Sequence, residues 1–169
     1  MKVKIALVAL MLVLIPVGMA MAQQPTNLYD TLAADGNYKT FLSLVDKANI
    51  QELKSMPGPF TVFAPTDAAF ANVPQATKDK IMGDPAIVRD VVFFHITPGA
   101  YMAKDLPALK ECKTLCPTAN TGIMKFTMVG DKYMVNNAAI VKPDMKATNG
   151  VAQGIDAVML PKFAPPQNL

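Results

Sequence analysis

An α+β domain, with helices packed on mainly antiparallel strands, is predicted by two changes along the chain. Apolar residues recur at helical spacing in the first half and in strand-like runs in the second, and proline or glycine marks nearly every joint. Thr26 or Asn27 can cap a first helix that turns Leu28, Leu32 and Tyr29 inward, until Asp35-Gly36-Asn37 interrupts it. A second helix is expected from about Tyr38, because Phe41, Leu42, Leu44, Val45 and Ala48 share one face while Lys39, Ser43, Asp46 and Lys47 point away. Pro57-Gly58-Pro59 ends that helical region.

Phe60 to Ala64 is β-branched and aromatic between prolines, which predicts a short strand. Thr66 then offers a hydroxyl to the free N–H groups of the turn that follows, with Asp67 at its positive end. Asp84 and Pro85 repeat the start signal for a helix carrying Ile87, Val88, Val91, Val92 and His95 on one face, ending near Thr97-Pro98-Gly99. Beyond it, Ile123 to Val129 and Tyr133 to Val141 read as strands around the turn Gly130-Asp131-Lys132. Asn149-Gly150 marks another turn, and Val151 to Leu160 reads as the last strand.

The chain is expected to carry an export signal over residues 1–22. Lys2 and Lys4 precede an apolar run from Ile5 to Ile15, which is too short to span a membrane, and Ala20-Met21-Ala22 is an acceptable cleavage site. The expected organisation is then a short disordered entry at 23–25, one domain over 26–161 and a flexible tail at 162–169. Two of the 16 basic residues leave with the signal and none of the 13 acids, so the balance falls to 14 against 13, or +1. That near-neutral charge, without a basic run, gives no reason to expect nucleic acid. Export favours a disulfide between Cys112 and Cys116, although the same pair could be half of a metal site.

Three blocks carry a family pattern: Gly58 to Phe70 (GPFTVFAPTDAAF), Phe94 to Gly99 (FHITPG), and Val135 to Ile140 continuing through Asn149-Gly150-Val151 to Ile155-Asp156-Ala157-Val158-Met159-Leu160-Pro161. In this order, across about residues 26–161, the chain resembles the fasciclin domain family. The resemblance implies helices against a wedge of two mainly antiparallel sheets, and extracellular adhesion or matrix binding. Lys142 to Gly150 is similar to the segment that integrin-binding members use. Here Lys142 stands for an acid and Met145 for an isoleucine, Phe94 for a frequent tyrosine and Gln153 for a frequent histidine. The resemblance therefore assigns partner contact to Phe94, His95, Asp144 and Met145, while Thr66, Asp67, Asn149 and Gly150 read as structural.

No catalytic constellation accompanies these residues. The chain lacks a G-x-S-x-G elbow, an H-E-x-x-H pair and a phosphate-binding glycine loop, and His95 is its one histidine. No cofactor, metal or membrane span is expected. The predicted function is a noncatalytic module, secreted to a periplasm, the cell surface or the medium, that binds a matrix component, surface protein or polysaccharide. The competing class is an exported binder of a small apolar ligand, haem or copper, prompted by the many methionines; alternation of Met124, Phe126 and Met128 instead predicts core packing.

Overall fold

The computed structural model describes residues 26–116 and 122–161; the expected signal, entry and tail lie outside the described residues. Helix α1 (Leu28–Asp35) begins where the Asn27 side chain accepts the Asp30 N–H and stops at Gly36, whose positive φ a side chain would resist. Helix α2 (Lys39–Lys47) follows and buries Phe41, Leu42, Leu44 and Val45 on one face. At roughly 1.5–3 kcal/mol for each fully buried side chain of this size, that face outweighs the helix's poor N-cap residue, Tyr38.

Strand β1 (Phe60–Pro65) leads through the Thr66 cap into the short helix α3 (Asp67–Ala71). Helix α4 (Gln75–Gly83), which the sequence pattern does not signal, buries only Ile81, so it lacks the apolar stripe that periodicity would detect. Helix α5 (Pro85–Phe94) starts as expected, with Asp84 accepting the Ala86 N–H at 2.8 Å and Pro85 in the first turn. It ends earlier than expected, because Ile96–Pro98 peels off as strand β2 along β1. Helix α6 (Leu106–Leu109) and strand β3 (Glu111–Lys113) complete the middle of the chain, both too short to show a period.

Strands β4 (Ile123–Val129) and β5 (Lys132–Val135) form the expected hairpin. The expected strand from Tyr133 to Val141 divides at Asn136-Asn137. Its second part is β6 (Ala138–Ala147), and the last strand, β7 (Gly150–Ile155), stops well before Leu160. Both shifts come from Asn136 at positive φ, which reverses the chain, and from Asp156, whose carboxylate accepts the Ala139 N–H at 2.7 Å and closes the end of β7.

All seven strands join in one hydrogen-bonded order, β2-β1-β7-β6-β5-β4-β3, where the sequence expectation was a wedge of two sheets. Every neighbouring pair is antiparallel except β1 with β7, which run parallel from Phe60 opposite Gly150 to Pro65 opposite Ile155. That parallel pair is buried along nearly its whole length, as parallel strands covered on both faces require. The two ends of the order then approach each other. Leu115 N–H donates to Ile96 O at 2.8 Å and Thr97 Oγ1 donates to Lys113 O at 2.6 Å, nearly closing the sheet into a barrel. Helices α1, α2 and α5 share its core through Leu28, Phe41, Val88 and Val92, against Phe63 and Phe126.

Candidate functional site

The residues singled out in the sequence fall into three polar clips, each fastening separate elements. The first surrounds the start of the parallel β1–β7 pair. Asn149 is buried, and its Oδ1 accepts the Leu28 N–H at 2.8 Å while Nδ2 donates to Leu53 O at 3.3 Å. Beside it, Gly150 has φ 154°, and a Cβ there would lie 1.9 Å from the Phe60 carbonyl oxygen. Only glycine permits that approach. At the other end of β1, Thr66 Oγ1 accepts the Ala69 N–H at 3.2 Å, the cap read from the sequence.

Asp67 reaches further than its place at the start of α3 suggests. Its carboxylate accepts the Thr40 N–H at 2.8 Å and the Lys39 N–H at 3.3 Å, so it also fills the N-terminus of α2. Burial works against its charge, but these amide donors and the Lys39 charge outweigh it and hold the carboxyl below its usual range. No local spacing signals this contact, because 27 residues separate Asp67 from Thr40.

His95 forms the second clip. It has 0% exposure, with Nδ1 2.7 Å from Val91 O and Nε2 3.1 Å from the Met159 N–H, while its ring meets Phe41 edge-on at 5.9 Å. The carbonyl needs a donor and the amide an acceptor, which assigns the proton to Nδ1 and makes the ring neutral. Burial lowers its pKa to about 4, against the smaller opposing effect of the Val91 carbonyl. The histidine thus ties the segment after β7 to the end of α5. Phe94 beside it is also buried in the core.

The third clip contains Asp144, which adopts positive φ at an irregularity of β6. Its Oδ1 accepts the Ala103 N–H at 2.8 Å and the Gln153 Nε2 at 2.9 Å; its own N–H donates to Gln153 Oε1 at 2.9 Å. Gln153 also donates to Tyr101 O at 3.0 Å. The carboxylate expected at a partner surface therefore joins β6, β7 and the Tyr101–Ala103 segment. Met145 is half-buried against the core. Gln153 was the residue whose importance the sequence understated, although a lone amide in Val151-Ala152-Gln153-Gly154-Ile155 is itself a signal, since a buried amide must find partners.

The expected Cys112–Cys116 disulfide is absent from the structure. Cys112 lies in β3 opposite Met124, and Lys113 continues the strand. Only Thr114 and Leu115 remain to turn the chain, and the Leu115 N–H is committed to Ile96 O. Among the described residues, no group of three or more His, Cys, Asp or Glu side chains is placed to hold a metal. Met124 is buried in the core, as alternation predicts, but Met128 is 50% exposed because β4 outruns the core at its far end. An open groove of about 600 Å³ borders Lys54, Pro59, Thr148 and Asn149, with few charged groups to orient a ligand.

Thus all three blocks converge on fastening one nearly closed sheet to its helices, and that arrangement has known counterparts. The fasciclin domain model matches residues 36–161. Human periostin is 29% identical over 143 residues, covering 84% of this chain and 17% of periostin. Protein sll1735 of Synechocystis is 30% identical over 134 residues, covering 79% of this chain and 97% of that protein. Immunogenic protein MPB70 of Mycobacterium bovis is 26% identical over 146 residues, covering 86% of this chain and 69% of MPB70. Among solved structures, a FAS1 domain pair from the insect cell adhesion molecule Fasciclin I aligns with TM-score 0.67 at 17% identity, covering 80% of this chain and 51% of the pair. The chain spans about one-sixth of periostin's length and half of the solved pair, so the likeness is to one domain of each. With the motif blocks, the domain match and the backbone in agreement, this chain belongs to the fasciclin family.

Proposed function

We propose that this fasciclin domain is a noncatalytic, exported adhesion or binding module that recognises a matrix component, a surface protein or a polysaccharide. The observation that carries this reading is the use of His95: both ring nitrogens bond to backbone groups inside the core, so the chain's one histidine is a fastener. Asp144 is similarly engaged, and neither residue is poised to activate a nucleophile or a water. One solved counterpart of the fold comes from a molecule described as an insect cell adhesion molecule. No helix among the described residues is long and apolar enough to cross a membrane.

In this proposal residues 1–22 direct export and are removed before Gln23, and the working domain runs from Thr26 to Pro161. Phe94, His95, Asp144 and Met145 serve recognition indirectly, by holding the surface elements in register. Solid-phase binding of the processed protein to matrix proteins, cell surfaces and polysaccharides should reach saturation at micromolar concentration, with no turnover in esterase and peptidase screens. Absence of any saturable binding, or turnover abolished by His95→Ala, would overturn the reading.

A further inference from the structure

Strand β4 is longer than the pairing that covers one of its sides. Phe126 N–H donates to Lys110 O at 2.7 Å and Thr114 N–H donates to Gly122 O at 2.6 Å, so Gly122, Met124 and Phe126 turn their backbone groups towards β3. Ile123 and Lys125 therefore turn theirs the other way, towards the side of β5. At Lys125 those groups are taken by Asn136, whose N–H donates to Lys125 O at 2.8 Å and whose Oδ1 accepts the Lys125 N–H at 2.9 Å. Asn136 then reverses the chain at positive φ towards β6, so among the described residues nothing on that side pairs with the Ile123 N–H and C=O.

Ile123 lines a groove of about 570 Å³ together with Asn136 and Asn137, which lie on that same side of β4. Phe94 and Met159, both buried, border it from the core, while Ile123 and Leu160 border it with 36% and 42% exposure. The Asn137 side chain makes no hydrogen bond among the described residues. The groove thus combines a backbone donor and acceptor, a spare amide and two exposed aliphatic side chains. Glu111 and Lys125, in register on β3 and β4, also line it, and their opposite charges leave it without a net one.

We propose that this groove takes an extended polypeptide segment of a protein partner, which pairs its backbone with Ile123 as an added strand and lays an aliphatic side chain against Ile123 and Leu160. The inference rests on the noncatalytic binding reading and narrows its partner class to protein. A bare strand edge is completed by another peptide backbone, which carries donor and acceptor at the matching spacing. Polysaccharide hydroxyls would meet the Asn137 amide but bring no aliphatic side chain to Ile123 and Leu160. An anionic lipid surface gains no attraction where Glu111 stands beside Lys125.

The test selects short random peptides, displayed on phage, on the processed protein, its mass confirming removal of the leader, with counter-selection against Leu160→Asp. A recovered peptide should bind wild type at micromolar concentration, Leu160→Asp about tenfold more weakly, and Asn137→Ala about threefold more weakly. Methylating one central backbone nitrogen of that peptide should weaken binding about tenfold with every side chain retained, and the bound peptide should slow hydrogen exchange at the Ile123 amide. Leu160 and Asn137 are exposed, so both variants should unfold thermally as wild type does. No recovered peptide, binding indifferent to methylation at every position, or unchanged exchange at Ile123 would overturn the proposal. So would a wild-type dimer that Leu160→Asp dissociates, or peptide affinity raised about tenfold by removing residues 162–169, since a second copy or the chain's own end would then fill the groove. If peptides fail while the wild-type protein still binds a matrix or surface component saturably, the groove assignment falls and the binding-module reading stands; loss of both overturns both.

Discussion

Most polar side chains marked by the motifs are used against distant backbone, and His95 shows what such a use implies. Its neutral ring accepts from Met159 and donates to Val91, so protonation would place a charge in the core and remove the acceptor that Met159 needs. Burial lowers the folded-state pKa to about 4, below the ordinary histidine value of about 6.5. Between these values the unfolded chain binds the proton and the folded chain does not. The histidine's stabilising contribution is therefore complete above about pH 6.5 and is lost as pH falls towards 4, by as much as about 3 kcal/mol. His95→Ala should lower stability near neutral pH by about 1–3 kcal/mol and flatten the dependence in that window. Denaturant unfolding at several pH values checks both, and an unchanged slope in the variant would assign the pH dependence to other groups.

Elements here are started by local caps and joined by non-local ones. Thr66, Asn27 and Asp84 each cap their own helix, which is why the starts of α1, α3 and α5 were legible from spacing alone. The junction of β6 and β7 with β1 depends instead on the absence of a side chain. At Gly150 an added Cβ would meet backbone on all three nearest atoms, Phe60 O, C and N, so neither side-chain rotation nor a rotamer change relieves the clash. Gly150→Ala is expected to destabilise by more than about 4 kcal/mol or to abolish soluble folding. The same substitution at Gly130, where a Cβ meets nothing within 4 Å, carries only the strain of its positive φ and should leave a folded protein. Thermal melts of the two variants separate the effects; equal losses would show that φ strain, rather than contact with β1, dominates at Gly150.

For the molecule as a whole, stability should be graded from the buried parallel pair outward. Strands β1 and β7 lie in mid-sheet with neighbours on both sides, whereas the outer rungs of β4–β5 have one strand partner each. Amide hydrogen exchange is expected to be slowest at Val62–Ala64 and Val151–Ile155 and fastest within the hairpin at Met128–Tyr133. Uniform protection across both regions would contradict that gradation. The sequence by itself determined the α+β class, most helix starts, the β4–β5 turn and the family, because caps, apolar spacing and turn residues act over a few neighbours. It could not determine that β1 and β7 run parallel, that Asp67 caps α2, or that Asp144 turns inward to Gln153 and Ala103. Those depend on contacts across 9 to 41 residues or on strand order, which local chemistry does not encode. It also favoured a Cys112–Cys116 bridge from compartment alone, whereas in the structure the two thiols are unbridged, and where they lie is set by non-local pairing, of β3 with β4 and of Leu115 with Ile96, that spacing in the sequence does not encode.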